Sequence, residues 1–298
     1  MRRMIGWLRA LRPKQWTKNG LVFAALLFAH EYGQRLALER ALLAFACFCA
    51  LASSVYLLND LRDIEEDRNH PRKRHRPLAA GLISPATAVI TALILAALAL
   101  IGFFRLNLDS GLIAVSYLTI QILYNLELKQ VVILDVLAVS AGFVLRAAVG
   151  ATAIDVVISP WLLICTIFLA LFLALSKRRQ EIGVMGGEAS STRPILSEYS
   201  QYLLDQMIAV VTASTLMSYA LYTISERTIT ELHTDKLMYT IPFVIYGIFR
   251  YLYLVHQREE GEAPDRVLLT DGPLIVNLLL YGMAVVLILQ HYGRLLGS

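Results

Sequence analysis

The chain has 298 residues, 57% of them hydrophobic, a mean hydropathy of +0.59 and a formal net charge of +4. A soluble domain of this length would not be so apolar, and a nucleic-acid binder would interleave basic and aromatic residues on a polar module, which this chain does not do. Cys47, Cys49 and Cys165 have neither paired nor metal-ligand spacing; they read as core thiols and argue against a disulfide scaffold.

Apolar runs of ~17–25 residues, the length that crosses the hydrocarbon layer as helix, recur along the chain. They predict nine spans, at about 13–30, 41–61, 86–104, 110–125, 131–149, 158–176, 205–224, 238–255 and 273–293. Most Lys and Arg lie at the N-terminus and in the connections after even-numbered spans, so the positive-inside rule places those segments in the cytoplasm. The basic start at Arg2-Arg3 lacks a short apolar core and a small-residue cleavage site, so no signal peptide is expected. Pro13 suits the first turn of span 1, where Lys14 and Lys18 stand one helical turn apart on a shared face and Trp16 lies at the interfacial belt. Membrane anchoring accounts for this cluster as well as ligand contact does.

Span 2 ends in Asn59-Asp60-Leu61-Arg62-Asp63-Ile64-Glu65-Glu66-Asp67. If the helix continues, Asp60, Asp63 and Asp67 fall at i, i+3 and i+7 on one face, where like charges repel unless a cation lies between them. A few carboxylates, with room left for water and phosphate oxygens, are the usual protein ligands of Mg2+. The alternative is a solvated helix end with i,i+4 pairs such as Arg62–Glu66. The connection that follows ends in Ser84-Pro85, a capping serine and a helix-opening proline.

Tyr124 and Lys129 close span 4. In span 5, Asp135 and Arg146 are three turns apart at nearly the same azimuth, with Val139 and Gly142 between them. Ionisable residues within a span face the bundle interior or a watery cavity, so both are site candidates; an ion-pair arrangement with neighbouring helices fits them equally. Span 6 closes on Lys177-Arg178-Arg179-Gln180-Glu181, before a Gly- and Ser-containing loop that runs to residue 204. Lys177 and Glu181 can form an ordinary i,i+4 pair, or the cations can grip phosphate oxygens opposite a carboxylate-bound metal. Together these clusters describe a site for a polyanion delivered with a metal.

Asn59-Asp60-x-x-Asp63-x-x-x-Asp67, followed by Arg76-Pro77-Leu78-Ala79-Ala80-Gly81, resembles the first aspartate-rich motif of the UbiA superfamily of intramembrane prenyltransferases. A closer resemblance, to the branch that moves phosphoribose onto decaprenyl phosphate, is carried by Arg12-Pro13-Lys14-Gln15-Trp16-Thr17-Lys18-Asn19, Tyr124-Asn125-Leu126-Glu127-Leu128-Lys129, Gly142-Phe143-Val144-Leu145-Arg146-Ala147 and Ser176-Lys177-Arg178. It implies an all-α polytopic membrane protein, one domain over 1–298, built as a nine-transmembrane-helix bundle with a cytoplasmic cap from loops 2–3 and 6–7. The implied setting is the bacterial inner (plasma) membrane, with the N-terminus and the active site cytoplasmic.

The resemblance also implies Mg2+ on Asp60, Asp63 and Asn59, with Asp67 assisting, and Asp60, Asp63 and Asn59 as the catalytic group. Substrate contacts would come from Lys18, Arg76, Tyr124, Lys129, Asp135, Arg146, Lys177, Arg178 and Glu181. The implied substrates are 5-phosphoribosyl 1-diphosphate and a polyprenyl phosphate lipid, the product feeds cell-wall arabinan synthesis, and a homo-oligomer is compatible with all of this. Superfamily members that prenylate an aromatic acceptor carry a second Asp-x-x-x-Asp motif after span 6. Lys177 to Glu181 stands in its place, which weighs against transfer of a polyprenyl chain from its diphosphate to an aromatic acceptor. A transporter would put charge near the midplane, whereas here it gathers at one surface.

Overall fold

The structure, a computed structural model, describes residues 2–28, 33–69, 73–157, 160–185, 194–257 and 270–292. All regular structure among these residues is helical. The chain divides into two compact units, residues 1–127 with 142–157 and residues 128–141 with 158–298.

The first unit opens with α1 (Arg2–Ala10), a 3-10 helix (Pro13–Phe23) and the short α2 (Ala24–Phe28). Then come α3 (Arg35–Arg62), α4 (Ile64–Asn69), α5 (Pro85–Leu106), α6 (Leu108–Leu126) and, from Gly142 onward, the later turns of α7 (Leu134–Ala153). α5 starts where its sequence says it should: Ser84 Oγ accepts the Thr87 amide at 3.2 Å and Pro85 occupies the first turn. Its buried stripe is Ala88, Ala92, Ala99 and Phe103, and the three alanines let α5 lie close along α3. Leu93 and Leu98 on the opposite side are each 60% exposed. Apolar surface of that kind is stable against lipid and costly against water. Phe48, Leu51, Val55, Phe103, Tyr117 and Val149 form the core between α3, α5, α6 and α7.

The second unit holds the first turns of α7, α8 (Pro160–Met185), α9 (Gln201–Ile224), α10 (Glu226–Leu232), α11 (Ile241–Gln257) and α12 (Gly272–Tyr292). Its core brings Val136, Phe172, Leu175, Leu204, Ile208, Ile248, Tyr251, Leu254 and Leu274 together.

Among the described residues, six helices are long and apolar enough to cross a membrane: Arg35–Arg62, Pro85–Leu106, Leu134–Ala153, Gln201–Ile224, Lys236–Gln257 and Gly272–Gln290. The other three expected spans stand differently from these six. Expected span 1 is the 3-10 helix followed by five residues of α-helix. α6 is diluted by Asp109, Gln121 and Asn125, whereas α8 contains the expected apolar stretch through Ser176 and turns strongly basic only from Lys177. The 3-10 form also changes the reading of Lys14 and Lys18. In that geometry residues three apart eclipse, so these two lysines, four apart, do not share a face. α8 continues to Met185, so Lys177–Glu181 lies inside a helix and not at its end. Gly186-Gly187 and Ser190-Ser191 of the expected cap, like His70-Pro71-Arg72, lie outside the described residues.

Candidate active site

In the first unit, α3 closes at Asp63 and α4 restarts at Ile64. The break is shallow. The Asp63 amide still reaches the Asn59 carbonyl at 3.0 Å, and the Asp67 amide reaches the Asp63 carbonyl at 2.8 Å. The column of acids foreseen along one face is therefore kept in part. Asp60 and Asp67 turn to a common side, each 2% exposed, while Asp63 is half-buried and accepts from Asn59 Nδ2 at 3.1 Å.

Two guanidinium groups meet the buried pair. Arg76, just after the 3-10 turn Lys73–His75, donates to Asp60 Oδ1 at 3.1 Å and to Asp67 Oδ2 at 2.7 Å. Arg12 donates to the same Asp60 Oδ1 and lies over the Tyr56 ring, 5.0 Å from its centroid. Arg12 sits between α1 and the 3-10 helix in the left-handed region, with φ 53°. That segment is pinned to α3 by Ser53, whose hydroxyl donates to the Leu11 carbonyl at 2.9 Å and accepts the Trp16 indole N–H at 3.1 Å. Trp16 thus has a structural partner in place of a purely interfacial role. Arg62 does not pair with Glu66; it donates to the carbonyls of Asn125 and Leu126, capping the end of α6 beside Tyr124.

Arg146 is 6% exposed and has an internal set of partners. It donates to Asn19 Oδ1 at 2.8 Å, to the Gly142 carbonyl at 2.7 Å and to Tyr117 OH at 3.0 Å, with the rings of Phe48, Tyr117 and Phe143 around it. It ties the 3-10 helix to α6 and α7. Lys18, on that 3-10 helix, and Tyr124 are half-buried.

In the second unit, Asp135 is fully buried at the start of α7. Its Oδ2 accepts Arg178 Nε at 2.9 Å, and its Oδ1 accepts the Tyr199 hydroxyl at 2.7 Å. The partner of Asp135 is therefore on α8, as the ion-pair alternative foresaw. Arg178 also donates to Glu181 Oε2 at 3.0 Å, and Lys177 Nζ stands 4.0 Å from Glu181. Tyr199 OH in turn accepts the amide of Ile133, whose φ of 71° is unusual for a β-branched residue. Burial, with the Asp135 bond adding to it, pushes the Tyr199 phenol up to about 12, so it donates throughout the neutral range. Sequence reasoning passed over Tyr199 and gave Arg12 no role; one marked only a loop end and the other a motif border. Lys129, in the 3-10 turn Leu128–Gln130, is half-buried. Ser176 Oγ and both polar atoms of Gln180, one turn apart on α8, are buried without a hydrogen-bond partner among the described residues.

The donor set at the end of α3 is all oxygen, carboxylates plus a carboxamide, which suits a hard cation. No group of three His, Cys, Asp or Glu among the described residues forms a ready cage, and arginines hold Asp60 and Asp67. The residues fit an Mg2+ that takes part of its shell from phosphates.

The profile of the UbiA prenyltransferase family matches residues 20–270. A decaprenyl-phosphate phosphoribosyltransferase of Corynebacterium glutamicum is 37% identical, over 95% of this chain and 86% of that protein. One from Mycolicibacterium smegmatis is 35% identical, over 90% and 87%. A UbiA homolog from Archaeoglobus fulgidus, solved with GPP and Mg2+, superposes with a TM-score of 0.73 at 21% identity, over 94% of this chain and 99% of that one.

Proposed function

This chain belongs to the UbiA prenyltransferase family, and we propose that it transfers 5-phosphoribose from 5-phosphoribosyl 1-diphosphate to a polyprenyl phosphate, releasing pyrophosphate. The observation that carries the reading is the basic run at Lys177, Arg178 and Arg179, where prenyl-diphosphate users would need carboxylates to hold a second metal. The naming of the corynebacterial and mycobacterial relatives supports the same choice over transfer of a prenyl chain to an aromatic acceptor. The proposed setting is the bacterial inner membrane, crossed nine times, with the N-terminus and the polar loops cytoplasmic.

In the proposed reaction the C1–O bond to the diphosphate breaks with its electron pair leaving on oxygen, and an acceptor phosphate oxygen bonds to C1. The acceptor is already ionised at neutral pH, so no general base is required and no proton changes hands. Mg2+, when bound, would neutralise the charge that builds on the departing diphosphate. Asp60, Asp63 and Asn59 would hold it, with Asp67 in support. Lys18, Arg76, Lys129 and Lys177 would take phosphate oxygens as charge-assisted donors. Tyr124 and Glu181 would meet the ribose hydroxyls. Arg178 and Asp135 would orient Glu181 and Tyr199, and Arg146 would keep the helices in place around the site. The transition state would carry positive charge at C1, so catalysis would rest on position and field more than on proton transfer.

The test is direct. Membranes holding the protein, given labelled 5-phosphoribosyl 1-diphosphate, Mg2+ and decaprenyl phosphate, should move label into the organic phase. Asp60→Asn and Asp63→Asn should each abolish it while the protein stays monodisperse in detergent. Undiminished transfer by either variant would remove the metal assignment. No transfer by the wild type, with prenylation of an aromatic acid instead, would replace the reading altogether.

A further inference from the structure

We infer that Arg12 and Arg76 are internal counter-ions of the Asp60 group, which hold it against a divalent cation until an anionic phosphate draws the guanidiniums away. The inference rests on the metal reading above. Its basis is that one oxygen, Asp60 Oδ1, accepts from both arginines, and Arg76 also spans to Asp67. A metal that bound Asp60 through Oδ1 would compete with these donors for that oxygen, and through either oxygen a +2 ion would sit close to two positive charges. Arg12 and Arg76 are 25% and 28% exposed, whereas Asp60 and Asp67 are 2% exposed, so the cations, and not the acids, are the groups with room to move.

A diphosphate offers guanidinium a partner as good as a carboxylate, often a bidentate one. Once the arginines turn to it, Asp60 Oδ1 is released to the metal that accompanies the same diphosphate, and the positive charge beside the site is drawn off. In its Asp60-bound position Arg12 also lies over the Tyr56 ring, whose centroid is 5.0 Å from the guanidinium carbon. Its left-handed backbone, directly before Pro13, is an uncommon conformation of the kind that collects at functional sites. Metal and donor therefore bind with positive coupling, and by linkage each raises the other's affinity by the same factor. Arg12 is a positioning residue in this scheme.

The experiment uses the full chain in detergent and Mn2+ alone, with free Mn2+ read from its paramagnetic resonance signal. Arg12→Gln and Arg76→Gln should each bind Mn2+ at least about tenfold more tightly than the wild type. Arg68→Gln, which removes a nearby charge paired to Glu65, should stay within about twofold. Unchanged or weaker Mn2+ binding in Arg12→Gln overturns the inference, as does an equal gain in Arg68→Gln. Arg12→Gln leaves Asp60 with Arg76 and so carries the test even if Arg76→Gln, which deprives buried Asp67, fails to fold. The metal reading fails separately if Asp63→Asn, added to Arg12→Gln, leaves the tightened Mn2+ binding intact.

Discussion

Asp135 divides its carboxylate between the Tyr199 hydroxyl and the Arg178 guanidinium and has no exposed surface. Removing Arg178 would leave a buried charge uncompensated, a cost of about 3–5 kcal/mol. Its neighbour Lys177 keeps 44% of its side chain exposed at 4.0 Å from Glu181, so truncating it should cost no more than about 1 kcal/mol. Adjacent cations should thus part company: Lys177→Ala elutes as wild type with about tenfold weaker donor binding, while Arg178→Ala loses its folded peak. Calorimetry and size exclusion check this, and equal behaviour would refute it. Tyr199 supplies a pH test. Its phenol, ordinarily at 10.0, is pushed up to about 12, so the folded state keeps a proton that the unfolded chain releases. That contribution is complete below pH 10 and is lost as pH rises toward 12, so the stability gap between wild type and Tyr199→Phe should narrow across that window. A gap constant with pH would mean the phenol is not so held. None of these partners was legible from spacing, since Arg178 and Asp135 stand 43 residues apart.

At the scale of elements, α7 and the 3-10 helix approach closely at Gly150. A Cβ on Gly150 would run into the main-chain carbonyl of Val22, and backbone cannot rotate aside as a side chain can. Gly150→Ala should therefore destabilise by about 1–3 kcal/mol, read as a lower thermal midpoint in detergent. An unchanged midpoint would show that the two elements separate at little cost. The helices themselves were readable because apolar length and caps are local signals: Ser84, Asn107 and Ser200 each accept an amide at a helix start. The 3-10 form of Pro13–Phe23 was not readable. It is imposed by distant partners, Ser53 on Trp16 and Cys49 and Arg146 on Asn19. The same holds for the acidic group. Its carboxylates announce themselves at short spacing, but the arginines that hold Asp60 come from 48 and 16 residues away.

For the whole molecule, the number of crossings decides which loops share the cytoplasmic side. Among the described residues six helices pass on length and hydropathy, whereas the proposed arrangement uses nine crossings, with α6 and α8 among them. Asp109, Gln121 and Asn125 lower the hydropathy of α6 without forbidding a buried crossing. Two exposed positions flank α5 and α6, Ala80 before them and Gln130 after. If both helices cross, the two positions share a side; if α5 crosses alone, they lie on opposite sides. With Cys47, Cys49 and Cys165 replaced by alanine, single cysteines at Ala80→Cys and Gln130→Cys should both react with a membrane-impermeant thiol reagent in inverted vesicles and in neither case in intact cells. Asp235→Cys, exposed after α10, should show the reverse pattern. The basic residues give this orientation its physical reason, since Lys and Arg beside short loops are retained on the cytoplasmic side during insertion. Labelling of Gln130→Cys in intact cells would take α6 out of the membrane and with it the nine-crossing arrangement.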